Sequence, residues 1–301
     1  MTDAQPPQLD VIDLDHDLTG YREFLSCWVA RTPQRISIVD PGPMSSLPLL
    51  QAGLDRLGIE RIDLILLTHI HLDHAGATGK LLERHPQARV VCHEKGIRHI
   101  VDPTKLWEGS RAVLGEVAEA YGPPPPVPET SIATYEESAR AGVRVIPTPG
   151  HAAHHLAFEQ GGVLFSGELA GTRHPLPEHD YMRPATPPRF ILEVAVDSID
   201  RVLALDPLPG RMVFAHYGVV DETRAYLQAA RRQLIQWTET VRELSCESTE
   251  DLQRRAHARW LETDAYYAQF PRLPEDIRER EYHYMGQSVD GMLGYVQAGR
   301  G

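Results

Sequence analysis

A chain of 301 residues is long enough for one large α/β domain with a sizeable core or for two smaller domains, and its motifs favour one domain with additions. Lys and Arg total 30 against 42 Asp and Glu, and the net charge of −12 argues against a nucleic-acid backbone or an anionic membrane surface as the main partner. Cys27, Cys92 and Cys246 are widely spaced and form no CxxC pair, residues 1–10 lack a signal-peptide core and no apolar run approaches a membrane span, so the expectation is a soluble cytoplasmic protein with reduced thiols.

In chain order, residues 11–14, 25–30 and 35–39 are short runs rich in apolar or β-branched residues, separated by turn formers, and they predict the opening strands of a sheet. The third ends in Asp40-Pro41-Gly42-Pro43. A carboxylate at such a rim either caps the turn or fixes a metal-bound histidine through its far ring nitrogen. Leu47, Leu50, Leu54 and Leu57 recur at helical spacing up to Gly58, which predicts a helix over 47–57. Residues 63–67 form a buried strand feeding Thr68-His69-Ile70-His71-Leu72-Asp73-His74-Ala75-Gly76.

This stretch holds three imidazoles and a carboxylate within six residues. If the backbone is still extended at His69 and His71, period-two alternation sends both rings to the same side. Asp73 and His74 follow on a tighter turn, with Gly76 supplying an unusual backbone angle, and address a second position close by. Imidazole and carboxylate without a nearby cysteine suit zinc, iron or manganese, and four such groups at this spacing predict metal binding rather than a solvated polar loop.

Residues 78–85 read as a helix ended by Pro86, and 88–92 as a buried strand. The histidine loop thus lies at the carboxyl end of a strand, where open α/β sheets gather ligands. His93 ends the next strand and is expected as a helix cap or a solvated side chain. Residues 95–130 read as a helical insertion, with pieces over 95–101 and 104–121 and then Pro123 to Pro126, a stiff return to the sheet. Such an insertion is placed to wall a substrate pocket. Residues 143–146 resume the sheet and end at Pro149-Gly150-His151, with His154 and His155 close behind. A hairpin around Gly161-Gly162 joins 156–159 to 163–165, which runs into Ser166-Gly167-Glu168, and 212–215 ends in His216-Tyr217-Gly218. Four strands therefore end in ligand-type residues.

Beyond Asp221 the pattern is helical. Tyr226, Ala230, Leu234, Trp237, Val241 and Leu244 mark one face of a long helix, Ser248 with Asp251 reads as a capping box for the next, and Pro274 opens a third over 275–296. The aromatic group Trp260, Tyr266, Tyr267, Phe270, Tyr282 and Tyr284 reads as helix packing, with a homodimer interface or a substrate lid as alternatives. The expected organisation is a catalytic domain over 1–220 and a helical extension over 221–301 packed on it.

These residues resemble the metallo-β-lactamase superfamily of binuclear metallohydrolases. The resemblance covers about residues 11–218 and rests on Thr-His-x-His-x-Asp-His-x-Gly at 68–76, Pro-Gly-His at 149–151 and the strand-end His216. It implies an α/β fold, an αββα sandwich with the metals at one edge of the two sheets, here with a helical insertion and added C-terminal helices. It also implies that His69, His71 and His151 hold a first divalent metal ion and Asp73, His74 and His216 a second, zinc above all, with iron or manganese as alternatives. The order of motifs is most similar to the glyoxalase II-like and lactonase-like branch. One position departs from the pattern: Gly167-Glu168 stands where the family has Gly-Asp, whose aspartate bridges both metals. Glutamate keeps the charge but adds a methylene, so either the bridge survives through a shifted backbone or bent side chain, or one metal is weakened or lost.

The resemblance implies hydrolysis of an ester-like bond, in a lactone, thioester or ester, within a small-molecule substrate. The nucleophile is a hydroxide held by two metals, Asp73 handles protons, and Tyr217 is a candidate oxyanion or substrate donor. The competing reading is a one-iron, oxygen-dependent oxidoreductase like the persulfide dioxygenase relatives, with His69, His151 and Glu168 as its two-histidine, one-carboxylate set. A non-catalytic metal-binding relative is the third reading.

Overall fold

The computed structural model describes residues 6–299. Its first sheet contains β1 (Gln8–Asp13), β2 (Ser26–Arg31), β3 (Ile36–Val39), β4 (Leu64–Leu66) and β5 (Arg89–Val91), side by side in that order. The first three strands run antiparallel, and β3, β4 and β5 run parallel. Helix α1 (Leu47–Arg56), the one-turn α2 (Leu72–Ala75) and α3 (Thr78–Arg84) fill the parallel crossovers, and α4 (Glu94–Val101), α5 (Thr104–Leu114), α6 (Glu116–Tyr121) and α7 (Tyr135–Arg140) lead to the second sheet.

That sheet opens with β6 (Arg144–Pro147), β7 (Leu156–Gln160) and β8 (Val163–Phe165), an antiparallel meander. Next come β9 (Thr172–His174) and β10 (Tyr181–Arg183), which form a ribbon of their own, and then α8 (Leu192–Leu203). Strand β11 (Arg211–Val213) joins β8 in parallel and β12 (Val219–Val220) closes the edge. Because β6, β8 and β11 point the same way, their carboxyl ends share one rim.

Period-two alternation explains why there are three cores and not one. Trp28, Ala30, Leu64 and Leu66 of the first sheet face Leu156, Phe158, Val163 and Phe165 of the second, filling the space between the sheets. The intervening Cys27, Val29 and Ile65 face outward onto the first helical layer with Leu50, Leu54 and Leu81. Ala157, Leu164 and Met212 do the same for the second sheet, against Ile199, Leu227 and Trp237. The result is the expected αββα sandwich. Among the described residues no helix is long and apolar enough to cross a membrane.

The insertion follows the sequence with one difference: the expected helix over 104–121 is split at Gly115, whose φ of +55° takes it out of the helical region. Ile100, Ala118, Tyr121 and Val127 bury into the first outer core. The proline run lies along α3, where a side chain on Gly79 would collide with the carbonyls of Pro125 and Pro126. Gly161 and Gly162 both have positive φ, as a two-residue hairpin turn of this hand requires.

The extension comprises α9 (Thr223–Glu247), α10 (Leu252–Thr263) and α11 (Glu275–Gln297). The face read from the sequence is the one that buries, with Trp237 stacked on Trp260 at 3.6 Å between ring centres. The capping box expected at Ser248 and Asp251 is not formed: Asp251 has φ +52° and caps nothing with its side chain, while Ser248 Oγ accepts from the Glu250 amide in a turn. A capping box does form at Thr134 and Glu137, opening α7.

Helix α11 is locked down by a buried ionic triad. Arg183 of β10 donates from Nε to Glu281 Oε2 at 2.6 Å, and Arg280 donates from Nε to Oε1 at 2.9 Å. Burial alone would push the Glu281 carboxyl up, but the two guanidiniums outweigh it and hold it at about 2, against an ordinary 4.5. A depressed carboxyl contributes stability above its unfolded value and loses it as pH falls through the folded one. Glu281→Gln is expected to cost about 3 kcal/mol at neutral pH, because it leaves buried cations underpaired. In denaturant melts the gap from wild type should narrow as pH drops from 4.5 toward 2; a gap constant across that window would refute the assignment.

Candidate metal centre

The rim where the strands end gathers His69, His71, Asp73, His74, His151, Glu168 and His216, but neither Tyr217 nor His93. Beyond β4 the chain bends at Thr68 and again at His71, itself extended with φ −61° and ψ 155°, and the His69 and His71 rings still come together with centres 4.4 Å apart. Asp73 and His74 ride on the single turn of α2. Gly76 departs from expectation: its φ is an ordinary −56°, and it is needed for space, since a Cβ would press on Leu72 O, Met44 N and Pro43 Cα. His151 follows β6, Glu168 follows β8 and His216 follows β11.

Two groups result. Ligand atoms of His69, His71, His151 and Glu168 lie within 4.8 Å of one another, as do those of Asp73, His74 and His216. The Glu168 carboxylate stands between them. Its Oε2 is 2.8 Å from His151 Nε2 and 3.3 Å from His69 Nε2, while Oε1 is 3.2 Å from His216 Nε2. The extra methylene therefore does not keep the carboxylate out of the centre. Gly167, with φ +56°, sets its backbone where a Cβ would strike the His155 ring and Thr68.

The hydrogen bonds show what this cluster is prepared to hold. Asp40 Oδ2 accepts from His74 Nδ1 at 3.1 Å and from Thr68 Oγ1 at 2.7 Å, and Asp40 Oδ1 accepts from the Thr68 amide at 2.8 Å. Of the two roles the sequence left open for Asp40, the structure shows it fixing a histidine. With its proton given to Asp40, Thr68 Oγ1 can accept from His69 Nδ1 at 3.1 Å. His151 Nδ1 donates to Ala185 O at 3.1 Å and His216 Nδ1 to Phe24 O at 3.4 Å. In all four rings the outer nitrogen is occupied and Nε2 is turned inward; burial would lower His74 and His151, but Asp73 and Asp40 push the first well above the imidazole range and Glu168 raises the second, so these two give up a proton when a cation takes its place.

Those inward atoms lack protein donors. Among the described residues His69 Nε2 and His74 Nε2 are buried without a hydrogen-bond partner, and His71 Nδ1 faces His151 Nε2 at 3.0 Å. Inward imidazole nitrogens crowded beside carboxylates are what a divalent cation satisfies, so the residues present fit a metal. Burial, reinforced by neighbouring imidazoles, pushes His69 well below the ordinary imidazole range and His71 down to about 3, which keeps both neutral as ligands must be. Burial would raise Glu168, but His151 and His216 hold it well below the carboxylate range.

One residue that the sequence shows only as following His151 gains a definite role, and one candidate lies elsewhere. His155 is fully buried and orients the central carboxylate: its Nε2 accepts from the Glu168 amide at 3.0 Å while Nδ1 meets Thr148 Oγ1 at 2.9 Å. Tyr217, the candidate oxyanion donor, is not brought into the cluster. A backbone φ of +87° turns it away from its neighbour His216, and its phenol faces Asp13; burial, with Asp13 and Glu23, pushes it up to about 12. His93 caps α4, accepting from the Lys95 amide at 3.1 Å.

Comparisons with known proteins agree with this architecture. A metallo-beta-lactamase fold-containing protein of Sulfurisphaera tokodaii is 30% identical over 173 residues, 54% of this chain and 63% of that protein. A probable metallo-hydrolase of Methanocaldococcus jannaschii is 29% identical over 44% of this chain and 60% of its own. A hydroxyacylglutathione hydrolase of Aeromonas salmonicida is 30% identical over 47% of this chain and 44% of its own. The matches thus span less than two thirds of these relatives. Among solved structures, an archaeal metallo-beta-lactamase superfamily protein from Sulfolobus tokodaii superposes with a TM-score of 0.66 at 21% identity, over 97% of this chain and 99% of that one. A metallo-beta-lactamase family protein from Thermus thermophilus gives 0.62 at 19%, over 97% and 93%. At these identities the structural likeness speaks for the fold. The family model described as the metallo-beta-lactamase superfamily matches residues 20–216, the span that contains every member of the ligand cluster, and the chain belongs to that superfamily of generally metal-dependent hydrolases.

Proposed function

We propose that the protein hydrolyses an ester-like bond, in a lactone, thioester or ester, of a small molecule, with two divalent metal ions that the residues around Glu168 would hold. The observation that carries this reading is the position of the Glu168 carboxylate, whose Oε2 lies 2.8 Å from His151 Nε2 in the first group and 3.7 Å from His74 Nε2 in the second, with Oε1 3.2 Å from His216 Nε2. His69, His71 and His151 would hold one ion and Asp73, His74 and His216 the other. Bound there, the ions supply a water ionised near neutral pH and an electrophile for the substrate carbonyl.

The chain's own residues do the rest. Asp73, 3.3 Å from His74 Nε2 and the most open carboxylate of the cluster at 17% side-chain exposure, takes the proton of the attacking water and returns it to the leaving oxygen or sulfur. Water adds across the acyl bond, giving an acid and an alcohol or thiol. Asp40 and His155 act only by holding His74 and Glu168 in place. The likeness to hydroxyacylglutathione hydrolases supports the thioester among the three substrate classes.

Metal analysis of protein purified without added metal should find two equivalents of zinc or manganese, with turnover of a lactone, thioester or ester panel abolished by chelation and restored by either ion. Near-stoichiometric iron with oxygen consumption would overturn this reading in favour of a one-iron oxidoreductase. Asp40→Ala should fold and yet lose about 10- to 100-fold in metal affinity, as substitutions behind a ligand histidine do, measured by competition with a chromophoric chelator. Wild-type affinity in that variant would remove Asp40 from the site.

A further inference from the structure

On the Asp73 and His216 side of the cluster stands a wall of aromatic rings drawn from three distant parts of the chain. Phe24 stacks on His216 with centres 4.3 Å apart, and Tyr284 of α11 stacks on Phe24 at 5.8 Å. Tyr21 packs edge-on against Phe24 at 5.3 Å and hydrogen-bonds to Tyr284, hydroxyl to hydroxyl, at 2.7 Å. Tyr121, from the end of α6, meets Tyr21 at 6.4 Å. All three phenols lie within electrostatic reach of Asp73.

Their hydrogen bonds do not balance. Of the Tyr21 and Tyr284 hydroxyls one donates and the other accepts, and the acceptor's own proton is left over. The Tyr121 side chain is 1% exposed, and its hydroxyl faces Tyr284 without closing a normal hydrogen bond to any described residue. Even if that contact tightened into a bond, three phenols in a row make two mutual bonds and keep one proton unspent. A buried donor without an acceptor costs about 1–3 kcal/mol, so a group that persists this way is shaped for something absent. Behind the wall the buried charge is unequal. The Arg280 guanidinium lies 4.0 Å over Phe24 and that of Arg183 5.3 Å over Tyr284, while one carboxylate, Glu281, pairs with both. The second guanidinium behind the rings offsets the Asp73 carboxylate in front of them, and the unspent phenol proton is the donor that an anion would meet.

We propose that Tyr21, Tyr121 and Tyr284 form a carboxylate-binding subsite beside Asp73, backed by Arg183 and Arg280, and that the protein's substrate carries a free carboxylate seated there. That the ligand is a substrate rests on the hydrolase reading; that the site binds a carboxylate does not.

Butyrate and its neutral isostere butyramide are the probes, titrated calorimetrically into the protein as purified. Wild type should prefer butyrate. Tyr121→Phe and Tyr284→Phe should each weaken butyrate roughly tenfold, the scale of a hydrogen bond to a charged group, with butyramide binding and metal content unchanged. Tyr121→Phe should also melt at the same temperature as wild type or higher, because the hydroxyl it removes has no partner among the described residues. No preference in wild type, equal butyrate affinity in the variants, or a Tyr121→Phe protein that melts lower and loses both probes alike would each overturn the subsite. Phenol-dependent butyrate binding without turnover on any ester panel would uphold the subsite and remove the hydrolase reading, and turnover with phenol-independent binding would do the reverse.

Discussion

An imidazole can serve as a buried ligand only when its second nitrogen has been given something to do, and the Asp40 carboxylate is where that condition begins in this molecule. It accepts from His74, from the Thr68 hydroxyl and from the Thr68 amide. The Thr68 hydroxyl, so committed, has only lone pairs left for His69. One carboxylate thereby sets the tautomers of two rings, one in each ligand group. Asp40 can do this because it ends β3, adjacent in the sheet to β4, and turns out of the strand at φ +52°. The backbone position is strained for a non-glycine residue, and its hydrogen bonds hold it.

The same logic extends across the interface between the sheets. The Leu156 amide donates to Thr68 O at 2.7 Å, and the Ala215 amide to Gly167 O at 3.3 Å, so the ligand loops are tied to one another as well as to their strands. His155 links them again by fixing the Glu168 backbone. The glutamate's longer side chain is accommodated within this frame, which accounts for a carboxylate at the centre despite the departure from the family's aspartate.

Much of the candidate site was legible in the sequence because its information is local. His69, His71, Asp73 and His74 are close neighbours, and His151, Glu168 and His216 each follow an apolar run ending in a turn. The sandwich was legible for a similar reason, since strands buried on both faces read as continuous apolar segments. What escaped depends on contacts between distant residues. Tyr284 shares helical spacing with its packing neighbours, and nothing in that spacing says it meets Tyr21, 263 positions earlier. Gly76 looked like a bend and is a point of close approach to the chain at Pro43 and Met44. His155 could not be told from His154 without knowing where the Glu168 amide points. Helix α8 does carry a signal in the sequence, Ala195, Ser198, Ile199 and Val202 at helical spacing. The β9–β10 ribbon left little, its strands being three residues each with arginine and histidine among them.

The Arg280 guanidinium that lies over Phe24 also donates to the carbonyls of Gly20 and Arg22, and Arg22 pairs with Asp276. Helix α11 is thus moored to the loop that carries Tyr21 and Phe24. By thermodynamic linkage, any ligand that touches Tyr284 binds the docked helix and not the undocked one. Occupancy of the proposed subsite and hydrogen-exchange protection of the α11 amides would then be two readings of one free energy, with a C-terminal helix reporting on binding beside Asp73.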